Sequence, residues 1–417
     1  MNTDSPRHRR GHAGKQGESV RSDCLVEIEL QPAGGMQIAL TSKVAALYGE
    51  AIAELARAVA AQAGVAHARL TIVDSGALPF TLAARLEAAC RAVLGEEEFE
   101  YLPAAPLIPH APTQKDRLRR TRLYLPGNEP KFFVNAGLHQ PDAVILDLED
   151  SVAPQEKEAA RVLVRNALRC VDFFGAERMV RINAGELGRQ DLAAVVPQGA
   201  QVILIPKCES PQRVSDIAAE VERLRQAHGR AHEVYLIPII ESALGVIKAF
   251  AIATASDKVC ALALGLEDYT ADLGVPRTAA ETESFFAKGA IVNAARAAGV
   301  QALASVYSDV DNVDGLRANV QAARALGFDG LGCIHPRQIK IVHEAIAPGA
   351  AEINQARQIV LTFEQAQQQG TAVFALGTKM IDLPVVKRAQ ATLANALAAG
   401  RLSADWRTQT PHENKLA

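Results

Sequence analysis

Eight times between residues 121 and 337, a short apolar run ends in a polar or charged residue able to do chemistry. The runs are Thr121–Pro126, Ala143–Leu148, Met179–Ile182, Gln201–Pro206, Val234–Ile240, Val259–Gly265, Ala302–Val306 and Gly330–Ile334. After them come Gly127-Asn128, Glu149-Asp150, Asn183, Lys207, Glu241, Glu267-Asp268, Tyr307-Ser308-Asp309 and His335. Longer amphipathic stretches separate the runs. Eight strand–helix units are what an α/β chain needs to close a (β/α)8 TIM barrel, and such a barrel keeps its active site at the C-terminal ends of its strands. The pattern therefore proposes a fold and a place to look.

The chain has 417 residues, enough for a barrel of about 250 residues and a second domain. A net charge of -3 gives no reason to expect a nucleic-acid partner. No apolar stretch approaches the ~18 residues of a membrane span. Residues 1–17 are basic, lack an apolar signal core and are expected to form a disordered leader. Six scattered cysteines, with no C-x-x-C pair and no zinc spacing, suit a reducing cytoplasm.

Residues 18–102 form a block of their own. Cys24–Leu30 and Met36–Thr41 alternate as half-buried strands, with the turn residues Gln31–Gly35 between them. Lys43–Ala63 has helical spacing, Ala68–Val73 reads as a third strand and Leu78–Leu94 as a second helix. The block is a small α+β domain. Residues 103–118 follow, with prolines at 103, 106, 109 and 112, and read as a semi-rigid polyproline linker. The barrel is placed at 119–346, a C-terminal helical extension at 347–400 and a flexible tail at 401–417.

Glu241 and Asp268 are the sharpest pair. They follow consecutive strands, so a barrel would set them side by side, and two such carboxylates suit a hard divalent cation such as Mg²⁺. The competing reading has each acid capping the helix behind it. Arg181 has apolar neighbours, and a buried arginine needs an anionic partner, substrate or structural. Asp147 and Glu149 alternate to one side of the second strand, as outer partners of a metal or as groups that orient Arg181. Lys207 could form a Schiff base with a carbonyl substrate or pair with one of the carboxylates. Gly127 would allow close approach of a ligand or serve only as a turn. His335 reads as an ordinary loop histidine.

Together the motifs RLYLPGNEPKFF (122–133), AVILDLEDSVAPQEKEAAR (143–161), VRIN (180–183), LIPKCES (204–210), PIIESALGV (238–246), GLEDYTADLG (265–274), GCIHPRQI (332–339) and KMIDLPVVKRAQ (379–390) resemble the citrate lyase β subunit within the HpcH/HpaI aldolase group. The resemblance implies a barrel that is often trimeric, binds Mg²⁺ through Glu241 and Asp268, and places its substrate-binding arginine at Arg181. It also implies an aspartate on the C-terminal extension, here Asp382, that reaches a neighbouring subunit's site. SDCLVEIEL (22–30) and VDSGALPFTLAARLEAA (73–89) resemble the acyl carrier subunit of citrate lyase. That subunit carries a CoA-derived phosphopantetheine-type group on a serine two residues before an aspartate. Here the position two before Asp23 is Arg21, and Ser22 is the candidate attachment site.

The function these likenesses imply is Mg²⁺-dependent carbon–carbon cleavage of a 3-hydroxy-acyl thioester, with citryl thioester giving oxaloacetate and acetyl thioester as the lead case. Arg181, Asp382 and Glu149 would be catalytic, and Arg181, Gly127 and Lys207 would contact substrate. Partners would be the acyl thioester, further copies of the chain and other citrate lyase-type subunits. The alternatives are a malyl-CoA or citramalyl-CoA lyase, a thioesterase on the same site, or a non-catalytic scaffold that binds an acyl carrier.

Overall fold

The structure is a computed structural model that describes residues 10–95, 99–104, 107–278, 280–368, 374–376 and 379–407. It divides into two compact units, Met1–Asp311 with Ala323–Ile339, and Asn312–Ala322 with Lys340–Ala417.

The first unit opens with a four-stranded sheet and two helices: β1 (Arg10–Gly14), β2 (Cys24–Leu30), β3 (Met36–Ser42), α1 (Ala45–Gln62), β4 (Ala68–Asp74) and α2 (Pro79–Leu94). The strand order is β1-β2-β4-β3, with β3 parallel to β4 and the other pairs antiparallel. Alternation decides the buried face: Cys24, Val26 and Ile28 of β2 and Ala68, Leu70 and Ile72 of β4 point into a core closed by Ile52, Ala56 and Val59 of α1 and Leu86, Ala89 and Val93 of α2. Arg10–Gly14, expected as part of a disordered leader, is instead an edge strand on β2, while residues 1–9 lie outside the described residues. Its glycine content hid it. A Cβ at Gly11 would stand 2.7 Å from the carbonyl oxygen of Ala89, so only glycine lets α2 lie this close to the strand.

The barrel strands are β5 (Thr121–Pro126), β6 (Ala143–Asp147), β7 (Glu177–Arg181), β8 (Val202–Ile205), β9 (Tyr235–Ile240), β10 (Ala261–Leu264), β11 (Gln301–Ala304) and β12 (Gly330–Cys333). All eight pair in parallel, and β12 pairs with β5 to close the cylinder. Each apolar run of the sequence contains one strand or overlaps most of one. Ile145, Met179, Val202, Leu204, Ile237 and Leu303 fill the interior below the strand ends. The helices of this unit are α3 (Lys157–Cys170), α4 (Gly185–Val195), α5 (Pro211–Ala227), α6 (Ala243–Ala253), α7 (Leu266–Leu273) and α8 (Phe285–Ala298), while α9 (Val313–Leu326) and α10 (Arg337–Ile346), which follow β11 and β12 in the chain, fall mostly in the second unit. The first strand–helix unit departs from the expected repeat. Between β5 and β6 the described chain makes only two 3₁₀ turns, Pro130–Phe132 and Ala136–His139.

α3 packs against both α4 and α2, which brings the N-terminal domain onto the barrel wall. The seam is ionic and buried. Arg165 of α3 donates through Nη1 and Nη2 to both oxygens of Glu87 on α2, at 3.0 and 2.6 Å, and both side chains are shut off from solvent. Arg85 of α2 clamps Asp23 with two bonds of 2.9 and 2.8 Å and also donates to the carbonyl of Asn128, in the turn after β5. Lys15 pairs with Glu129 in the same turn.

The Pro-rich segment, expected as a spacer, is hydrogen-bonded to the barrel in its described parts. Ile108 N–H donates to Arg169 O, Arg169 Nε to Pro103 O, and Gln201 Nε2 to Ala111 O. Thr113 donates to Glu177, whose carboxylate also takes two bonds of 2.8 Å from the fully buried Arg119. Residues 105 and 106 lie outside the described residues.

The second unit contains α11 (Ala350–Gln368), the antiparallel strands β13 (Phe374–Leu376) and β14 (Lys379–Ile381), and α12 (Leu383–Ala398). Ile353, Val360, Phe363, Val386 and Leu393 form its core together with Leu402 and Trp406. The expected flexible tail is therefore packed up to Arg407. Its remainder, 408–417, lies outside the described residues.

Candidate active site

A cavity of about 450 Å³ opens among the strand ends, lined by Tyr124, Asp147, Arg181, Glu241 and Asp268 among others. Glu241 follows β9 directly and is buried. The capping reading fails for it, because Ser242 caps α6 by accepting Gly245 N–H at 3.1 Å and Asp272 accepts Ala243 N–H. Glu241 is free to face the cavity. Its Oε1 takes the backbone N–H of Lys207 at 2.6 Å. Gly265 makes room for it: a Cβ there would stand 2.6 Å from Glu241 Oε2. Asp268 sits in the first turn of α7, half-buried, while Ser305 accepts the Leu266 N–H at the start of that helix.

Burial pushes the Glu241 carboxyl up to about 8, with the charges of Asp268 and Glu149 adding to the effect. Two carboxylates crowded in a half-closed pocket fit a divalent cation, whose charge would remove that repulsion. No group of three or more His, Cys, Asp or Glu among the described residues could hold a metal by itself. That donor set is too poor for a closed zinc site, but suits Mg²⁺, which takes one or two carboxylates and fills its shell with water and substrate oxygens.

Arg181 ends β7 and is oriented rather than free. Asp147, in register with it on β6, accepts from Nε and Nη2 at 2.7 Å each. That occupies one edge of the guanidinium. On the remaining edge Nη1 lies 2.9 Å from Glu149, without hydrogen-bond geometry, and donates to Asp150 at 3.3 Å. The Tyr124 ring lies beneath, 5.5 Å from Arg181 Cζ. Against the effect of burial, the bonds from Arg181 hold Asp147 below the usual carboxylate range.

Lys207 has a left-handed backbone, φ 49, at the end of β8. Its Nζ donates to Glu149 at 2.7 Å and Asp150 at 3.2 Å, and these bonds raise its pKa. A lysine held protonated in this way is a poor Schiff-base nucleophile, and the ion-pair reading fits. Burial pushes Glu149 up despite Lys207 and Arg181. Glu149, Lys207 and Gly127 do not line the cavity. Gly127 is explained by packing: a Cβ there would lie 2.5 Å from the carbonyl oxygen of Asp147. His335 Nδ1 accepts Arg337 N–H within its own loop.

The other two candidates are not among the residues that line the cavity. Asp382 belongs to the second unit, where it caps α12 by accepting Val385 N–H at 3.3 Å. Ser22 is half-buried with φ 56, beside the Asp23 that Arg85 ties to the Asn128 carbonyl. Sequence reasoning missed Arg122 and Tyr124, both on the cavity wall. The signal was present in the period of two that places residues 122, 124 and 126 of β5 on one face.

The barrel carries paired carboxylates and an oriented arginine at its mouth, and the comparisons fix the family. Residues 120–336 match the model for HpcH/HpaI aldolase/citrate lyase, and the chain belongs to that family. It is a lyase of the group. Residues 12–93 match an acyl-carrier family described as malonate decarboxylase delta subunit (MdcD). Citrate lyase subunit beta of Escherichia coli K12 is 41% identical over 69% of this chain and 96% of its own length. A (3S)-malyl-CoA thioesterase of Cereibacter sphaeroides is 35% identical over 68% of this chain and 97% of its own. The solved structure of CitE from Mycobacterium tuberculosis with magnesium, acetoacetate and coenzyme A superposes with a TM-score of 0.57 at 30% identity, covering 68% of this chain and 99% of that one. No helix among the described residues is long and apolar enough to cross a membrane.

Proposed function

We propose that the chain is a Mg²⁺-dependent lyase that cleaves a 3-hydroxy-acyl thioester, with citryl thioester giving oxaloacetate and acetyl thioester as the reaction. The observation that carries this is the pair Glu241 and Asp268, one directly after β9 and the other in the helix that follows β10, lining one cavity with Arg181. Glu241 and Asp268 would hold the ion. When bound, Mg²⁺ supplies Lewis acidity toward the substrate hydroxyl and the carbonyl that forms from it. Arg181, fixed by Asp147, offers a substrate carboxylate its Nη1 edge, where the 3.3 Å bond to Asp150 would give way. Lys207 positions Glu241 through its backbone N–H and keeps Glu149 and Asp150 paired. Asp382 is the proposed proton-transfer group, supplied from another copy of the chain in a trimer. Ser22 is the proposed attachment point for a phosphopantetheine-type arm, and other citrate lyase-type subunits are proposed partners.

A coupled assay with purified citryl, malyl and citramalyl thioesters tests the reading. Citryl turnover should stop with EDTA and return with Mg²⁺, and Glu241→Gln and Asp268→Asn should each abolish it in folded protein. Turnover indifferent to EDTA, or hydrolysis of the thioester without formation of an oxo acid, would remove the metal-lyase reading.

A further inference from the structure

Arg122 is an arginine inside the barrel with no carboxylate partner among the described residues. It is 1% exposed. Nη2 donates to the carbonyl of Ala304 at 3.0 Å, while Nε and Nη1 have no hydrogen-bond partner among the described residues. The groups acting most strongly on its charge are Tyr124, Cys333, Arg119 and Cys260. Most other buried arginines of this unit are treated differently: Arg119 has Glu177, Arg165 has Glu87 and Arg85 has Asp23, while Arg178, which bonds His110 and the Leu168 carbonyl, does not line the cavity. A guanidinium stays protonated in a protein and matches a carboxylate with its fork. One that is buried without an anion is a charge waiting for a partner.

Its placement says which anion. Arg122, Tyr124 and Pro126 share the inward face of β5 and line the cavity. Pro126 is in register with Asp147, which is in register with Arg181. Arg122 stands four residues back along the strand, in register with Gly332. Its side chain reaches past β12 to the Ala304 carbonyl on β11. Ala263, Ala304 and Gly332 line the same part of the cavity where a barrel usually carries bulky residues. The cavity therefore has an anion site at the strand ends, at Arg181, and a second cation below it.

We propose that Arg122 binds a second, distal carboxylate of the substrate and so selects acyl thioesters whose oxo-acid half is a dicarboxylate. This rests on the lyase reading above. In such a substrate the carbon bearing the hydroxyl also carries one carboxylate, for Arg181, and a variable group. That group is a hydrogen in a malyl thioester, a methyl in a citramalyl thioester and a carboxymethyl in a citryl thioester. Only the last offers Arg122 an anion, and it stays on the oxo-acid product as the distal carboxylate of oxaloacetate. Arg122 is a specificity-determining residue in this account and takes no part in bond cleavage.

The test measures binding without turnover. Oxaloacetate and pyruvate are titrated calorimetrically into the full chain with Mg²⁺. Wild type should bind oxaloacetate at least about tenfold more tightly than pyruvate, because a site built around a polar group rejects the ligand that lacks it. Arg122→Met should bring oxaloacetate down to the affinity of pyruvate and leave pyruvate within about threefold of wild type. Arg122→Lys should restore part of the preference. Thermal melts should show Arg122→Met folded, at or above the wild-type melting temperature, since an unpaired buried charge is gone. Unchanged oxaloacetate binding in Arg122→Met, or equal loss of both ligands, would overturn the assignment. A wild-type protein that shows the Arg122-dependent preference yet cleaves no thioester would sink the reaction and leave the assignment standing. Citryl cleavage unaffected by Arg122→Met would do the reverse.

Discussion

Gly265 offers a direct way to move Glu241 without touching it. Its backbone angles, φ -108 and ψ 103, are those of an ordinary strand, so alanine brings no backbone strain. The added Cβ would lie 2.6 Å from Glu241 Oε2 and 2.9 Å from Glu241 Cβ. Rotating the carboxylate relieves the first contact and leaves the second. Carbon atoms settle at roughly 3.5–4.0 Å, so the end of β9 or the start of α7 must shift by roughly 0.6–1.1 Å. Overpacking of this kind costs roughly 1–3 kcal/mol in stability. A misplacement of about 1 Å at a reacting centre costs on the order of a hundredfold in rate. Gly265→Ala should therefore keep its fold, melt a few degrees lower, need at least about tenfold more Mg²⁺ for half-maximal citryl cleavage, and lose on the order of a hundredfold in kcat/KM. The readouts are a Mg²⁺ titration of initial rates and a thermal melt of the same preparation. Wild-type Mg²⁺ dependence in a variant that has melted lower would refute the reasoning, because the contact would be real and Glu241 would not be a ligand.

Four further outcomes are expected. Arg181→Lys loses the two-point grip of Asp147 and should lower kcat/KM at least about tenfold, ~1.4 kcal/mol in the transition state; wild-type efficiency would take Arg181 out of the site. The Glu241 carboxyl, raised to about 8, must lose its proton to bind metal, so apparent Mg²⁺ affinity should climb about tenfold per pH unit toward pH 8 and level off above it; an affinity flat between pH 6 and 8 contradicts this. Borohydride reduction with oxaloacetate or pyruvate should leave Lys207 unmodified, and a mass adduct there would reinstate the Schiff base. Intact-mass analysis of protein from its native cells should show a CoA-derived adduct mapping to Ser22; an unmodified chain that cleaves free CoA thioesters at full rate would make the N-terminal domain a docking module.

The eight barrel strands could be read from the sequence because each is buried on both faces, so its apolar run is continuous and ends where the loop begins. Asp147 was within reach as the partner of Arg181, since alternation set it on the right face. β1 was not readable: Gly11 and Gly14 erase the strand signal, the first for close packing under α2 and the second for close approach to the Cys24 carbonyl. The missing helix after β5 was hidden because Pro130 and the small residues after it fit a helix start as well as a 3₁₀ turn. The left-handed Lys207 was invisible, since nothing local demands it; only the fold supplies the Glu241 oxygen that its N–H meets. Arg122 was overlooked because a lone charge in a strand reads as solvent-facing until the barrel closes around it.

The buried seam between α2 and α3 has a thermodynamic consequence. Arg165 cannot be left without Glu87 unless a charge is stranded out of water, and breaking such a pair costs roughly 3–5 kcal/mol. The small domain and the barrel of the first unit thus share the free energy of their folding, although they match separate families. Heating should melt the two together rather than in sequence. The state of one is then written into the stability of the other, so anything that loosens the sheet around Ser22 is felt in the wall of the barrel.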